Sequence, residues 1–355
     1  MEATLAITEA VTKKPKPDPN SLQFGKTFTD HMFTMEYKAD EGWTNPQIKP
    51  YAPIEIDPAA MVFHYSQTVF EGLKAYRTKD GVVRLFRPEE NFKRLNRSNK
   101  RLSIPPIDEK SAIEHLKQLV ALEKDWIPTE EGTSLYIRPF VIATEPSLQV
   151  APAKSYQLFI ILSPVGSYYP TGIQPVSIMV EEDTTRAVRG GTGSAKTGGN
   201  YSAGYNAQAK ATANGHAQVL WLDGMEKKYI EEVGSMNVFF KINGEIVTPE
   251  LSDSILEGIT RKSVIELLKS WKVPVSERRV TMQEVKDAYD NGTLEEAFGS
   301  GTAAVISPIG ELTWRDTTMT INGGETGDVT TSLYKTITNI QTGKERDPFG
   351  WTLKL

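Results

Sequence analysis

The chain has 355 residues, 39% of them hydrophobic and 24% charged, with 40 Lys and Arg against 45 Asp and Glu and a net charge of −5. This composition belongs to a globular chain of roughly two domains, not to a disordered one, and it lacks the basic surplus of a general nucleic-acid binder. The absence of cysteine excludes disulfides, thiolate metal sites and cysteine nucleophiles together, and suits a reducing compartment.

In chain order, the first twenty residues mix Glu2, Glu9, Lys13, Lys14 and Lys16 with three prolines. No secretory segment is expected there, and 15–20 (PKPDPN) reads as an extended arm. Pro88, Glu89 and Glu90 open a helix, with proline near N1 and acids in the first turn. Phe92, Leu95 and Leu102 then share one face, and Ile113, Leu116 and Val120 mark a second helix. Strands are predicted over 133–142 and 156–163. Pro164, Gly166, Pro170, Gly172 and Pro175 punctuate a linker. Beyond it strands dominate, over 176–181, 217–223, 229–233 and 236–242, with turns at Asp223-Gly224 and Asn243-Gly244. Helices are predicted over 201–214, stopping at Gly215, and over 259–271. Thr281 and Glu284 form a capping box for another that ends near Gly292. The expected architecture is mixed α/β, with a small domain over 1–165, a linker over 166–175 and a larger, sheet-rich domain over 176–355. The longest apolar runs, such as LFIIL at 158–162, fall far short of the ~20 residues of a membrane helix. A soluble cytoplasmic protein is therefore expected.

Residues 190–200 read GGTGSAKTGGN, five glycines around one lysine. A nucleotide P-loop fits poorly, because Ala195 stands where its second glycine belongs and no helix is expected straight after Thr197. A lysine amine among glycines can instead form a Schiff base with a flat cofactor. A solvated lysine on a surface loop is the competing reading of these eleven residues.

The wider pattern decides between them. The stretch from Gly190 through Tyr201, QVLWLDG at 218–224 and EEVGSMNVFF at 231–240 resemble the branched-chain amino acid aminotransferases, which are fold-type IV pyridoxal-phosphate enzymes. FTDHM at 28–32, HYSQTVFEGLKAYR at 64–77, GTSLYIRP at 132–139, EPSLQV at 145–150 and FGSGTAA at 298–304 extend the resemblance over nearly the whole chain. It implies a pseudo-barrel in the larger domain and a homodimer. It also implies transamination of leucine, isoleucine and valine with 2-oxoglutarate.

By the same resemblance, Lys196 is the Schiff-base lysine that holds pyridoxal phosphate and then shuttles a proton. Glu232 faces the pyridine nitrogen, and Tyr201 bonds the phenolic oxygen. Arg94, Ile259, Thr260 and Thr302 hold the phosphate. The residue pattern agrees independently at 258–260, where a helix start offers free N–H groups to an anion. Thr302 and Ala303 are implied to bind the substrate carboxylate through their N–H groups. Tyr65, Phe70, Tyr136, Arg138 and Tyr168 are implied to line the side-chain pocket, and Leu148 and Val150 to reach the partner subunit's site. Tyr136 and Arg138, two apart in a strand, face one way. Arg138 is suited to grip a side-chain carboxylate. Where some members of the family carry C-x-x-C after the 298–303 turn, this chain has Ala304-Val305-Ile306-Ser307, so thiol regulation there is excluded. D-amino acid aminotransferase and aminodeoxychorismate lyase share the fold and are the nearest rivals.

Overall fold

The computed structural model describes residues 4–78, 80–168 and 173–355. Its first elements are β1 (Ala6–Ile7), β2 (His31–Lys38), β3 (Gly42–Pro50), α1 (Met61–Tyr65), β4 (Thr68–Phe70), β5 (Leu73–Arg77) and β6 (Val83–Phe86). Next come α2 (Pro88–Arg101), α3 (Glu109–Leu122), β7 (Ser134–Ala143), β8 (Ser155–Val165), β9 (Val176–Glu181), α4 (Gly198–Ser202) and α5 (Tyr205–Ala213). They are followed by β10 (Gln218–Leu222), β11 (Ile230–Val233), β12 (Met236–Ile242), β13 (Glu245–Thr248), α6 (Ile259–Ser270), β14 (Val275–Glu277) and α7 (Met282–Asp290). The last are β15 (Leu294–Gly301), β16 (Val305–Trp314), β17 (Thr317–Thr320), α8 (Asp328–Thr342) and β18 (Thr352–Lys354).

Helix starts follow the local chemistry. Pro88 occupies the first turn of α2, and the Asp108 carboxylate caps α3 by accepting from Ser111 N at 2.8 Å. Thr281 Oγ1 accepts from Glu284 N at 3.0 Å at the start of α7, as the capping-box spacing predicts. One expected helix is two. The stretch 201–214 is interrupted at Ala203-Gly204, where a Cβ on Gly204 would lie 3.0 Å from the Trp221 ring. The helix also begins earlier than expected, since α4 starts at Gly198, directly after Thr197.

The chain forms two compact units. The first comprises Met1–Tyr168, Ala195–Gly198 and Ile340–Leu355, and the second Tyr169–Ser194 and Gly199–Asn339. The expected division at 166–175 differs from this in two places. The lysine segment joins the first unit because Phe70 N donates to Lys196 O. The C-terminal tail joins it because β18 pairs with β6. Residues 169–172 of the expected linker lie outside the described residues.

The sheet of the first unit runs β1-β3-β2-β8-β7-β5-β6-β18, with β4 also on β7. Alternation along its strands places Leu73, Ala75, Leu135 and Ile137 in one buried cluster with Phe92, Leu95, Leu116 and Val120 of α2 and α3. Lys74, Tyr136 and Arg138 occupy the other face, and Lys74 and Tyr136 are register partners. In the second unit the path β11-β10-β9-β16-β15-β12 closes on itself, because β11 also pairs with β12. This closed sheet is the expected pseudo-barrel. Ile178, Leu220, Val238, Phe240 and Leu312 are among the residues of its core.

Candidate active site

Lys196 is seated by its backbone. Its carbonyl accepts from Phe70 N at 2.9 Å, and its N–H donates to Ser98 Oγ at 2.8 Å. Thr197 Oγ1 donates to Thr68 O at 2.7 Å, and Val69 bridges Thr197. These bonds fix a segment that by composition is a flexible loop. Lys196 Nζ lies 4.8 Å from the centroid of the Phe70 ring, and Arg138 Cζ lies 4.8 Å from the same centroid. One aromatic ring thus attracts an ammonium and a guanidinium. Arg138 Nη2 donates to Tyr136 Oη at 3.2 Å, its Nε is buried without a hydrogen-bond partner, and no carboxylate among the described residues pairs with it. Tyr136 is placed by an absent side chain, since a Cβ on Gly72 would lie 2.0 Å from its hydroxyl.

Arg94, on α2, is 4% exposed. Its Nε and Nη2 donate to the two oxygens of Glu71 at 2.7 and 2.9 Å, a bidentate pair. Asn91 Nδ2 and Gly72 N also donate to Glu71. Burial alone would raise the Glu71 carboxyl. The charge and hydrogen bonds of Arg94, with smaller contributions from Lys196 and Asn91, outweigh it and hold the group below the usual carboxylate range.

The second unit holds the other expected cofactor residues. All four residues of β11 are buried, which removes the reading of Glu231 and Glu232 as solvated strand residues. Glu232 Oε1 accepts from Leu256 N at 2.7 Å, and its Oε2 lies 3.1 Å from Arg186 Nε. Arg186, Asn200, Tyr201, Trp221, Glu232 and Ser235 line a pocket of about 300 Å³, at the lower end of small-ligand cavities. Asn200 closes the glycine loop onto Thr192 through bonds of 2.7 and 2.8 Å. Ile259 and Thr260 open α6, which has no side-chain cap. Asn237 Oδ1 approaches so closely that a Cβ on Gly258 would lie 2.0 Å from it. Thr302 and Ala303 lie in the hairpin turn linking β15 and β16. Val305, which closes it, has φ +63°, a strained value for a β-branched residue. Ser300 Oγ, next to this turn, is buried and has no partner.

The expected pocket and partner-reaching residues differ in exposure. Phe70 and Tyr136 are partly or fully buried, whereas Tyr65, Tyr168, Leu148 and Val150 are exposed, Val150 by 88%. Tyr65 Oη donates to Leu148 O at 2.5 Å and so ties α1 to the loop that carries Leu148 and Val150.

Reading the sequence left four participants unnamed. Glu71 and Ser98 are not marked by spacing, although Glu71 lies inside the FEGLKAYR segment. Arg186 precedes the glycine loop in TTRAVRGG and could have been flagged as a basic residue beside it. Lys74 is fully buried, and burial lowers its ammonium to about 8.

The sequence model of the family described as amino-transferase class IV matches residues 68–312. The chain belongs to this family. It is 64% identical to branched-chain-amino-acid aminotransferase 2 of Bacillus subtilis (strain 168), over 99% of this chain and 97% of that protein. It is 59% identical to branched-chain-amino-acid transaminase 1 of the same strain, over the full length of both. Among solved structures, a branched-chain amino acid aminotransferase of Escherichia coli is 26% identical and aligns with a TM-score of 0.75, over 91% of this chain and 98% of that one. A bacterial branched-chain amino acid aminotransferase complexed with N-(5'-phosphopyridoxyl)-L-glutamate is also 26% identical. It aligns with a TM-score of 0.73 over 90% of this chain and 97% of that one.

Proposed function

We propose that this chain is a pyridoxal-phosphate-dependent aminotransferase that moves the amino group of leucine, isoleucine or valine to 2-oxoglutarate, giving branched-chain 2-oxo acids and L-glutamate. The observation that carries the reading is the Phe70 ring flanked by the Lys196 amine and the Arg138 guanidinium, in a chain 64% identical to a branched-chain-amino-acid aminotransferase.

The residues fit the cofactor. A buried carboxylate, a tyrosine and a 300 Å³ pocket occur together, and Ser300 Oγ is an orphaned donor beside the Thr302 turn. When bound, pyridoxal phosphate supplies an electron sink for charge developing at the substrate Cα. Lys196 is the covalent attachment point, and its freed amine moves the Cα proton. Glu232, shielded from water, keeps the pyridine nitrogen protonated, and Tyr201 binds the phenolic oxygen. Arg94, the uncapped N–H groups of Ile259 and Thr260, and Thr302 hold the phosphate. The N–H groups of Thr302 and Ala303 orient the α-carboxylate. Tyr65, Phe70, Tyr136 and Tyr168 give the side chain an apolar surround, and Arg138 receives the second carboxylate of glutamate.

We place the site's completion in a homodimer, to which exposed Leu148 and Val150 contribute; sedimentation of the Val150→Asp variant as a monomer would support this. A chain without cysteine suits the reducing cytoplasm. Among the described residues no helix is long and apolar enough to cross a membrane.

The reading is tested by absorbance of the purified protein before and after L-leucine, then D-alanine, and by peptide mapping after borohydride reduction. L-leucine should convert the visible band, D-alanine should not, and the label should fall on Lys196. Conversion by D-alanine alone, or a label on another lysine, would overturn it.

A further inference from the structure

Glu231 lies beside Glu232 on β11 and is 7% exposed. Neighbouring strand residues face opposite ways, so Glu231 has its own surroundings. Its Oε1 accepts from Ser254 Oγ at 2.5 Å, while its Oε2 is buried with no hydrogen-bond partner. A buried carboxyl with an idle oxygen is costly, and a chain that keeps one gains something by it. It does not bind a metabolite of its own: the adjoining cavity, lined by Arg189, Tyr229, Ser252 and Arg279 among others, is about 30 Å³, the volume of one water. Nor does it hold a metal, since no group of three ligating side chains occurs among the described residues.

What it does hold is Ser254, which is fully buried. The Ser254 carbonyl accepts from Arg186 Nη2 at 2.5 Å, and Arg186 Nε lies 3.1 Å from Glu232 Oε2. The same short loop reaches Glu232 directly, through Leu256 N. It also seats the glycine loop: Ser194 N donates to Asp253 O at 2.8 Å and Gly190 N to Asp253 Oδ2 at 2.6 Å. A Cβ on Gly193 would lie 2.4 Å from Ser254 O. Residues 252–256 are therefore a hub between the glycine loop, Arg186 and Glu232, and the Glu231 carboxyl is its buried anchor.

We propose that Glu231 is a positioning residue for Glu232, acting through Ser254 and Arg186. The inference rests on the reading of Glu232 given above. Two carboxylates share the Arg186 cation, so Arg186 orients Glu232 without neutralising it fully. Glu232 then keeps negative charge for the ring proton it faces. The charged groups around Glu231 are Arg186, Arg189 and Asp223. Burial raises its carboxyl, while Ser254, Arg186 and Arg189 oppose that shift.

The test compares Glu231→Ala, Glu231→Gln, Ser254→Ala and the Glu231→Ala/Ser254→Ala double variant. The measurements are the dissociation constant of pyridoxal phosphate from each apoprotein, the L-leucine half-reaction rate, and the thermal midpoint. A lost hydrogen bond to a charged group corresponds to a roughly tenfold effect. Glu231→Ala and Ser254→Ala should each slow the half-reaction and weaken cofactor binding by about that factor. The double variant should add nothing, because the two act as one unit. Glu231→Gln, which keeps the acceptor for Ser254, should recover the rate to within about threefold. Additive effects, or thermal midpoints that fall while rate and affinity stay unchanged, would overturn the proposal. Glu232→Gln separates the two readings. If that variant is crippled and Glu231→Ala is not, only this inference fails. If Glu232→Gln is itself unaffected, the role given to Glu232 fails.

Discussion

Two buried arginines, Arg94 and Arg186, are held in opposite ways. Arg94 spends two donors on one carboxylate, and Glu71 is further bonded by Asn91 and Gly72. That pair is closed: geometry and charge are settled within it. Arg186 lies 3.1 Å from Glu232 but off hydrogen-bond alignment, and its Nη2 goes to two carbonyls, Gly193 O at 3.1 Å and Ser254 O. Beyond Ser254 the Glu231 carboxyl has an idle oxygen. That cluster is open, and charge left unspent in a low-dielectric interior is available to a ligand. The difference separates a scaffold for Lys196 from a tuning device around Glu232.

The comparison holds only if both clusters serve one reaction, and the largest expected effects test this. Lys196→Ala should abolish turnover and the visible band, although cofactor could still bind without a covalent bond; residual turnover at the rate of the parent enzyme would remove Lys196 from the chemistry. Glu71→Ala leaves Arg94 buried and unpaired, and breaking such a pair costs about 3–5 kcal/mol. Urea unfolding should show this loss in the apoprotein. Glu232→Gln, in the open cluster, should cost about 1 kcal/mol of stability, as for a typical hydrogen bond, yet slow the half-reactions severely. Equal stability losses for the two would erase the distinction.

A smaller effect concerns how one pocket accepts both leucine and glutamate. Arg138 rests on the rings of Phe70 and Tyr136 at 4.8 and 5.3 Å, so leucine meets aromatic faces with the cation held at their edge. Losing a charge-assisted bond of about 1.5–3 kcal/mol corresponds to a ten- to hundredfold change. Arg138→Met should therefore slow the half-reactions with glutamate and 2-oxoglutarate by about that factor, and affect leucine much less. Single-turnover rates decide it; equal losses for both amino acids would make Arg138 a structural support.

Much of this was legible in the sequence alone. Helix caps such as Asp108 and Thr281, and the strands of both sheets, are written in local pattern. The closed sheet rests on the pairing of Glu232 with Asn237 and of Val233 with Met236, which no local pattern announces. Arg94 could be named from the resemblance, but Glu71 could not, because a carboxylate 23 residues upstream carries no spacing signal. The break at Gly204 was missed because it depends on Trp221, and an alanine-rich run reads as uninterrupted helix. Glu231 was assigned to the opposite face of its strand, but only the surrounding 252–256 loop makes that face a buried one.

The smallest expected effect sets the closed and open carboxyls against each other by sign. Glu71 is held below its ordinary value, 4.5, so the folded state binds its proton less tightly than the unfolded chain. Its contribution to stability is complete above about pH 4.5 and is lost as pH falls through the lower folded value. Glu231 is pushed above 4.5 by burial, so the folded state binds its proton more tightly. Its contribution is then greatest below about pH 4.5 and declines as pH rises toward the higher folded value. Removing each titration with glutamine should tilt the stability profile in opposite directions. Relative to the parent protein, Glu71→Gln should be most destabilised near neutral pH and recover on acidification. Glu231→Gln should gain relative stability as pH rises through the window just above 4.5. Urea unfolding of the apoproteins between about pH 4 and 7 measures both, and slopes of the same sign would mean that the two carboxyls are held alike.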